Sequence, residues 1–361
     1  MNRTDIQRLQ SIRGYPLVSI LLPTHRTSPD NRQDPIRVRN LVAEAKKRLL
    51  AESPQRDVAL VLQRIEALAD QIDYRYVLDG LALFASSDFA AKFHLPFTVK
   101  ERVVIGETFA MRDLVFALNR SARYWVLVLS EDSTRLYKGW RDSLIEVTDG
   151  GFPIRREGPG ATEPMPDRFG TSLSAYEDER FRQFFRQVVA AFSAVTAEDE
   201  LPVVVAGIER YLAYFNNVSQ NLSRVVAALT GSHDKTSAHE LAASAWPLIG
   251  NHLAQGRQAA LDALGVAVGA QQSASGIGEV WRLAQEGRGA VLLVEEDFHY
   301  PARLDPGGMT LIPVDDPTGL DVMEDAVDDL IQTVLAKGGR VVFASNGSLA
   351  AHQRIALILR Y

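Results

Sequence analysis

The densest run of side chains able to do chemistry lies between His25 and Arg48. Within it Arg26, Arg32, Arg37, Arg39, Lys46 and Lys47 are interrupted by only three acids, Asp30, Asp34 and Glu44. In a chain of net charge −6 this is a local basic segment, and each Lys or Arg could gain from counterion release on meeting a phosphate. The competing reading is an amphipathic helix with a solvated face, since Glu44 and Arg48 have the i, i+4 spacing of a stabilising pair. A second basic pair, Arg155 and Arg156, stands in residues 148–171, a stretch crowded with Gly and Pro and without apolar period. Loops of that length inside compact domains are usually functional or disordered, and the plain reading of the two arginines is loop solubility.

Other chemistries fail on spacing. There is neither a G-x-x-x-x-G-K-[ST] phosphate loop nor a G-x-G-x-x-G fingerprint, and Gly158-Pro159-Gly160 places Pro where a helix entry needs free backbone donors. Gly170-Thr171-Ser172-Leu173-Ser174 has Ser where a nucleophile elbow needs its second Gly, and no apolar strand precedes it. The seven histidines form no H-E-x-x-H and no i, i+4 pair. Glu295-Glu296-Asp297 near His299 reads as a solvated acidic loop rather than a metal site. The charges of Asp321, Glu324, Asp325, Asp328 and Asp329 suit the N-terminus of a helix. No catalytic residue, metal ligand or cofactor is expected.

The elements that position these residues follow from periodicity. Leu17–Leu22 is an apolar run ending at Pro23, read as a buried strand. A helix starts near Pro35 with Val38, Leu41, Val42, Ala45 and Leu49 on one face, and a second carries Leu60, Ile65, Leu68 and Ile72. Gly80–Ala85 is another strand, Phe93–Phe109 suggests edge strands, and Leu114–Leu118 begins a short helix. Tyr124–Ser130, Thr134–Gly139 and Leu144–Val147 read as consecutive antiparallel strands. A helix from about Ala175 to Thr196 leads to Leu201–Ile208, a buried parallel strand, and Ser237–Leu264 is a long helical stretch. Helix is expected over Ile277–Glu286 and Asp321–Ala336, the latter capped by Gly338 and Gly339, and strand over Gly289–Val294, Arg340–Ala344 and Ile355–Leu359. Strands and helices alternate, so the fold class is α/β.

At 361 residues and 46% hydrophobic content, the chain suits two or three packed domains. The absence of cysteine removes disulfides and thiolate sites and fits a reducing, cytoplasmic setting. The first sixteen residues have no signal-peptide core, and no run approaches the roughly 20 apolar residues that span a bilayer. A membrane is therefore not expected as a partner.

Three co-linear regions resemble the archaeo-eukaryotic class I release factor superfamily, which includes Pelota and the bacterial hibernation factor Balon. Leu17–Pro23 with Gly80–Phe84 resembles strands of its N-terminal domain. Tyr124–Leu129, Thr134–Gly139 and Val203–Gly207 resemble its central domain of RNase H-like topology. Gly289–Val294 with the ending Ala356–Tyr361 resembles its C-terminal domain, whose fold is that of kink-turn RNA-binding ribosomal proteins. The resemblance implies an α/β N-terminal domain over 1–120, an RNase H-like domain over 121–240 and an α/β/α domain over 241–361.

The departures bear on mechanism. Release factors of this superfamily hydrolyse peptidyl-tRNA with a Gly-Gly-Gln tripeptide on the loop between the central strands and a long helix. Here that place reads Ile154-Arg155-Arg156-Glu157-Gly158-Pro159-Gly160-Ala161-Thr162-Glu163, and Gly150-Gly151 is followed by Phe152. The stop-codon-reading Asn-Ile-Lys-Ser is missing from the Thr27–Asn40 region. The resemblance then implies a non-catalytic factor occupying the ribosomal A site in rescue or hibernation, with ribosomal RNA as partner and a translational GTPase as a possible one, and no DNA. Arg26, Arg32, Arg37, Arg39, Lys46 and Lys47 would meet decoding-site RNA, and Arg155 and Arg156 phosphates near the peptidyl-transferase region. Two alternatives stay open: a peptidyl-tRNA hydrolase using Glu157 or Glu163 as general base, and a protein-interaction adaptor that has left the ribosome.

Overall fold

The computed structural model describes residues 3–120, 123–156, 173–197, 199–219, 222–315 and 322–361. The chain begins with α1 (Arg3–Ser11), β1 (Leu17–Pro23), α2 (Asp34–Glu52), α3 (Gln55–Asp70), β2 (Gly80–Ala85), β3 (Ala90–Leu95), β4 (Arg102–Gly106) and α4 (Arg112–Arg120). It continues with β5 (Arg123–Val128), β6 (Arg135–Trp140), β7 (Ser143–Val147), α5 (Leu173–Thr196), β8 (Val203–Gly207), α6 (Glu209–Val218), β9 (Val225–Thr230) and α7 (Ala238–Gly269). The last part holds β10 (Ser273–Ser275), α8 (Ile277–Gln285), β11 (Gly289–Glu295), β12 (Ala302–Leu304), β13 (Leu311–Pro313), α9 (Ala326–Ala336), β14 (Arg340–Ala344) and β15 (Ile355–Leu359). These elements form two compact units, one of residues 1–121 with 257–361, the other of residues 122–256.

In the first unit, an antiparallel sheet of order β3-β2-β1-β4 is buried on both faces. Val18, Ile20 and Leu22 of β1 pack with Leu81 and Leu83 against Val38, Leu49, Val58 and Ile65 of α2 and α3. On the other face, Leu17, Leu21, Ala82 and Phe84 share a core with α1, α4, α8 and α9. That double burial is why Leu17–Leu22 shows an apolar run instead of alternation. The second sheet of this unit has the order β10-β15-β11-β14. Its β11 alternates strictly, with Leu292 and Val294 toward α8 and α9, and Val291 and Leu293 toward Ala260 and Leu264 of α7. This is an α/β/α arrangement.

The second unit is built on a five-stranded sheet of order β7-β6-β5-β8-β9, in which β6 runs antiparallel to β5 and β7, while β5, β8 and β9 are parallel. Numbered within the unit this is 3-2-1-4-5, the RNase H-like order. Trp125, Leu127 and Leu129 face α5 and α6, and Tyr124, Val126 and Val128 face Leu241, Ala245 and Ile249 of α7. Tyr124 is fully buried, donates its hydroxyl to the Arg141 carbonyl at 2.8 Å, and lies flat across Gly139. A Cβ at position 139 would meet that ring at 2.6 Å, so only Gly fits.

The structure departs from the sequence expectations at several points. Leu60 is exposed, and Val58, Val61 and Leu62 supply the buried face of α3 instead. Helix α9 starts at Ala326, because the Asp325 carboxylate accepts the Val327 amide at 3.1 Å and caps it. Position 321 lies outside the described residues. Helices α1 and α6 and strands β9, β10, β12 and β13 were not expected from periodicity.

Within the first unit, α9 meets the start of α4 through buried carboxylates. Asp328 Oδ1 accepts the amides of Met111 and Arg112 at 3.1 and 2.9 Å, so a side chain of one helix caps another. Gln332 donates to the Phe109 carbonyl at 2.8 Å, and Ala110 donates to Ser19 Oγ at 2.9 Å, tying the same segment to β1. Arg112, almost wholly buried, pairs with Asp325 at 2.7 Å and donates to the Glu296 carbonyl at 2.8 Å. Burial opposes ionisation of Asp325, but the hydrogen bond from His299 and the charge of Arg112 hold its pKa below the usual value. Asp328 has no such cation in contact. Burial first, then the Asp329 charge, push its pKa up to about 8, and burial pushes Asp329 up to about 6.

Both groups bind their protons more tightly folded than unfolded. Their stabilising contribution is therefore complete below about pH 4 and lost as pH rises through about 6 and then about 8. Asp328→Asn keeps the acceptor and removes the ionisation, so its melting temperature is expected to stay near wild type at about pH 4 and to exceed wild type by a growing margin up to about pH 8. Asp328→Ala strands the two amides and is expected to cost about 1–3 kcal/mol for each. Thermal denaturation of the three proteins across that pH range checks both; identical pH profiles for wild type and Asp328→Asn would count against the assignment.

Candidate functional site

The basic segment expected from sequence is an exposed helix face whose charge is largely spent on internal pairs. Buried Asp34, the first residue of α2, accepts from the His25 amide and ring at 2.8 and 2.9 Å, and Arg37 approaches it to 3.8 Å. Arg26 makes a two-point contact with Asp79 at 2.7 and 2.8 Å. Lys46 pairs with Glu66 at 3.0 Å, and Arg48 lies 3.8 Å from Glu44 and 3.7 Å from Glu324. Three of the expected residues keep a charge with no carboxylate partner among the described residues. Arg32 is exposed at the end of a 3-10 turn, Arg39 donates only to the Pro35 carbonyl, and Lys47 is exposed on α2. Arg39 and Lys47, eight residues apart, stand roughly 12 Å apart along the helix axis.

In the second unit the strand-to-helix connection begins with a structural corner. Gly150 and Gly151 have φ of +63° and +88°, and Phe152 is buried among Phe185, Phe192 and Leu136. A Cβ on Gly150 would lie 2.1 Å from Val195 Cγ2 of α5, whereas one on Gly151 meets nothing within 4 Å. The Gly-Gly pair thus lets the chain turn hard against α5, and the position after it is a core residue. Ile154 then bridges Thr134, with amide–carbonyl bonds of 2.8 and 2.9 Å in the two directions.

The two arginines that follow differ. Arg155 is exposed. Arg156 places its guanidinium 4.5 Å from the centroid of Phe181 in α5, lies 3.6 Å from Glu131, and donates its amide to the Glu131 carbonyl at 3.1 Å. Arg210 lies 5.0 Å from the same ring, and Phe181 stacks on Tyr214 at 5.4 Å. Arg156 is therefore an anchor at the base of the connection. Residues 157–172, which include Glu157 and Glu163, lie outside the described residues.

The acidic strand end also differs from its expected solvated state. Glu295 is buried and ionised, its pKa held down against the cost of burial by the Arg354 side chain at 2.9 Å and the Leu349 amide at 2.9 Å. Arg354 also binds Asp297. His299 is turned the other way, 2.7 Å from Asp325. Among the described residues no group of three or more His, Asp or Glu is placed to hold a metal ion, and no helix is long and apolar enough to cross a membrane.

Residues 123–288, covering the whole second unit from β5 onward, match the model of bacterial archaeo-eukaryotic release factor family 3. Over that segment, which is less than half of the chain, the protein is similar to that family. No curated protein matches it in sequence. Among solved structures it is similar to ribosome-bound archaeal Pelota with ABCE1, at 12% identity over 99% of this chain and 94% of that one, TM-score 0.46. It is also similar to S. cerevisiae Dom34, a translation termination-like factor interacting with Hbs1, at 13% identity over 78% and 74%, TM-score 0.42. An archaeal translation termination factor, aRF1, aligns at 13% identity over 100% and 99%, TM-score 0.25. Identities this low with TM-scores below 0.5 carry no argument about function.

The corner geometry makes a graded prediction. Gly150→Ala meets both the left-handed backbone and the Val195 contact, and is expected to destabilise the protein by about 2–4 kcal/mol. Gly151→Ala meets only the backbone cost, about 1–2 kcal/mol. Denaturant titration of both variants checks the order; equal effects would mean that the contact with Val195 is not what fixes this turn.

Proposed function

We propose that this protein is a release-factor-like, ribosome-associated factor that occupies the tRNA-accepting A site in rescue or hibernation, without reading stop codons and without hydrolysing the peptidyl ester. The observation that carries the reading is the pairing of the family-model match over 123–288 with a Gly-Gly corner that leads into a buried Phe. A water-positioning tripeptide needs its third side chain free to reach the ester, and Phe152 is committed to the core. The missing Asn-Ile-Lys-Ser supports the same conclusion for decoding. What remains is the family's shape, so association is retained where both chemistries are lost.

The supporting electrostatics are specific. Arg32, Arg39 and Lys47 are the residues of the basic segment free to neutralise phosphates, while Arg26, Arg37 and Lys46 hold acids of their own. Arg155 is the exposed cation at the mouth of the central connection, and Arg156 fixes its base. A translational GTPase is the partner class expected to deliver such a factor; Dom34, for its part, interacts with Hbs1. A cytoplasmic location follows from the ribosome as partner.

Co-sedimentation with purified ribosomes tests the reading. Wild-type protein is expected in the ribosomal fraction at low salt and to be released as salt rises. The Arg32→Gln/Arg39→Gln/Lys47→Gln variant should need less salt for release, with a slope shallower by about 2 if all three neutralise phosphates. Arg26→Gln, whose charge is already spent, should release at nearly the wild-type salt concentration. No wild-type protein in the ribosomal fraction, even after crosslinking in stressed cells, would sink the proposal, and turnover of peptidyl-tRNA would replace it with the hydrolase.

A further inference from the structure

The charge accounting that empties most of the N-terminal segment leaves a second group of cations intact. Strands β11 and β14 are parallel and begin at Gly289 and Arg340, while β15 runs antiparallel to β11 and ends at Leu359. All three ends therefore lie together, at the same end of the sheet as the C-termini of α8 and α9. Arg288, Lys337, Arg340 and Arg360 cluster there, and Lys337, Arg340 and Arg360 pair with no carboxylate among the described residues. Two of these donate to backbone carbonyls: Arg360 bonds that of Lys337 at 2.6 Å, and Lys337 bonds that of Gln285. Arg288 bonds a terminal oxygen of Tyr361 at 2.8 Å. The Arg340 side chain makes no hydrogen bond or ion pair to another described residue, its backbone being paired in the sheet.

The bland role for such cations is to offset the helix ends. Two helix C-termini supply about −0.5 charge each, roughly −1 together, against the three positive charges of Lys337, Arg340 and Arg360. An excess of about +2 remains, on side chains that are all exposed. Tyr361 stands beside them, 68% exposed, with the Arg288 guanidinium 5.5 Å from its ring centroid. Hydrogen bonds to carbonyls hold the stems in place without cancelling the charge, so the cluster is preorganised. Cations with an open aromatic face suit a single-stranded nucleic acid, in which phosphates are neutralised and a base can stack.

We propose that Lys337, Arg340, Arg360 and Tyr361 form an RNA-binding platform that takes the sugar–phosphate backbone of a single strand, with one base against Tyr361. The platform deepens the ribosome reading, on which it rests, by giving the C-terminal sheet its own contact with RNA. RNA is favoured over an acidic protein because the planar aromatic face offers stacking, which a carboxylate-rich chain would leave unused.

The test is fluorescence anisotropy with a fluorescein-labelled oligouridine of about 20 nucleotides, between about 50 and 200 mM salt. Three phosphates neutralised on a single strand give a slope near −2 and roughly a 20-fold change in affinity over that range. Lys337→Gln/Arg340→Gln/Arg360→Gln is expected to lose that share of the slope. Arg340→Gln, which breaks no contact among the described residues, should make it shallower by about 0.7. Tyr361→Ala should weaken binding without changing the slope. Unchanged affinity and slope in both charge variants would overturn the platform, as would equal binding of a poly-glutamate of matched charge. Ribosome co-sedimentation separates the two readings. If wild-type protein binds ribosomes but the platform variants bind oligouridine normally, only the platform fails; if it binds oligouridine through these residues but never sediments, only the ribosome reading fails.

Discussion

The buried carboxylate of Asp328 fixes the register of the first unit. Its oxygen accepts the opening amides of α4, whose Arg112 reaches back to Asp325 at the start of α9. These contacts join a sheet made by the first third of the chain to a sheet made by the last third. Apolar packing alone is non-directional and would tolerate sliding between the two layers. Two amides on one carboxylate, with a guanidinium on the next, permit only one placement. A neutral Asp328 fits this placement, since burial and the neighbouring Asp329 charge both oppose ionisation there.

Pairing, more than the number of basic residues, decides which surface can meet RNA. In the N-terminal basic segment, Asp79, Asp34 and Glu66 take up the charge of Arg26, Arg37 and Lys46, and Glu44 with Glu324 that of Arg48. At the end of the C-terminal sheet the cations rest on carbonyls and keep theirs. A run of lysines and arginines in sequence is thus a weaker sign of a phosphate-binding face than a scattered set that shares one sheet end and lacks acids.

Most elements are legible in the sequence because burial imposes a period. Val291 to Val294 alternates between two helical layers, and Leu17–Leu22 shows the unbroken run expected of a strand covered on both sides. Leu60 misled because it is apolar, yet it stands five residues before Ile65 and so off the stripe, which Val58, Val61 and Leu62 continue at i, i+3 and i+4 spacing. Strand β9, half exposed at the sheet edge, has too weak a pattern to stand out. The site was legible as a list of cations and no further. Asp79 and Glu66 lie 53 and 20 residues from the arginine and lysine they neutralise, and Glu295 reads as a solvated acid until the fold brings Arg354 beside it.

The division of the chain also has a temporal side. The second unit is continuous, residues 122–256, whereas the first is assembled from 1–121 and 257–361. As the chain leaves the ribosome, β1 and β2 emerge early with Leu21, Ala82 and Phe84 in a core that α1 and α4 begin and that α8 and α9, made last, complete. That core stays unfinished until the segment beyond the central unit has followed. Synthesis therefore leaves part of an apolar surface waiting for the C-terminal segment, whose arrival removes it from water.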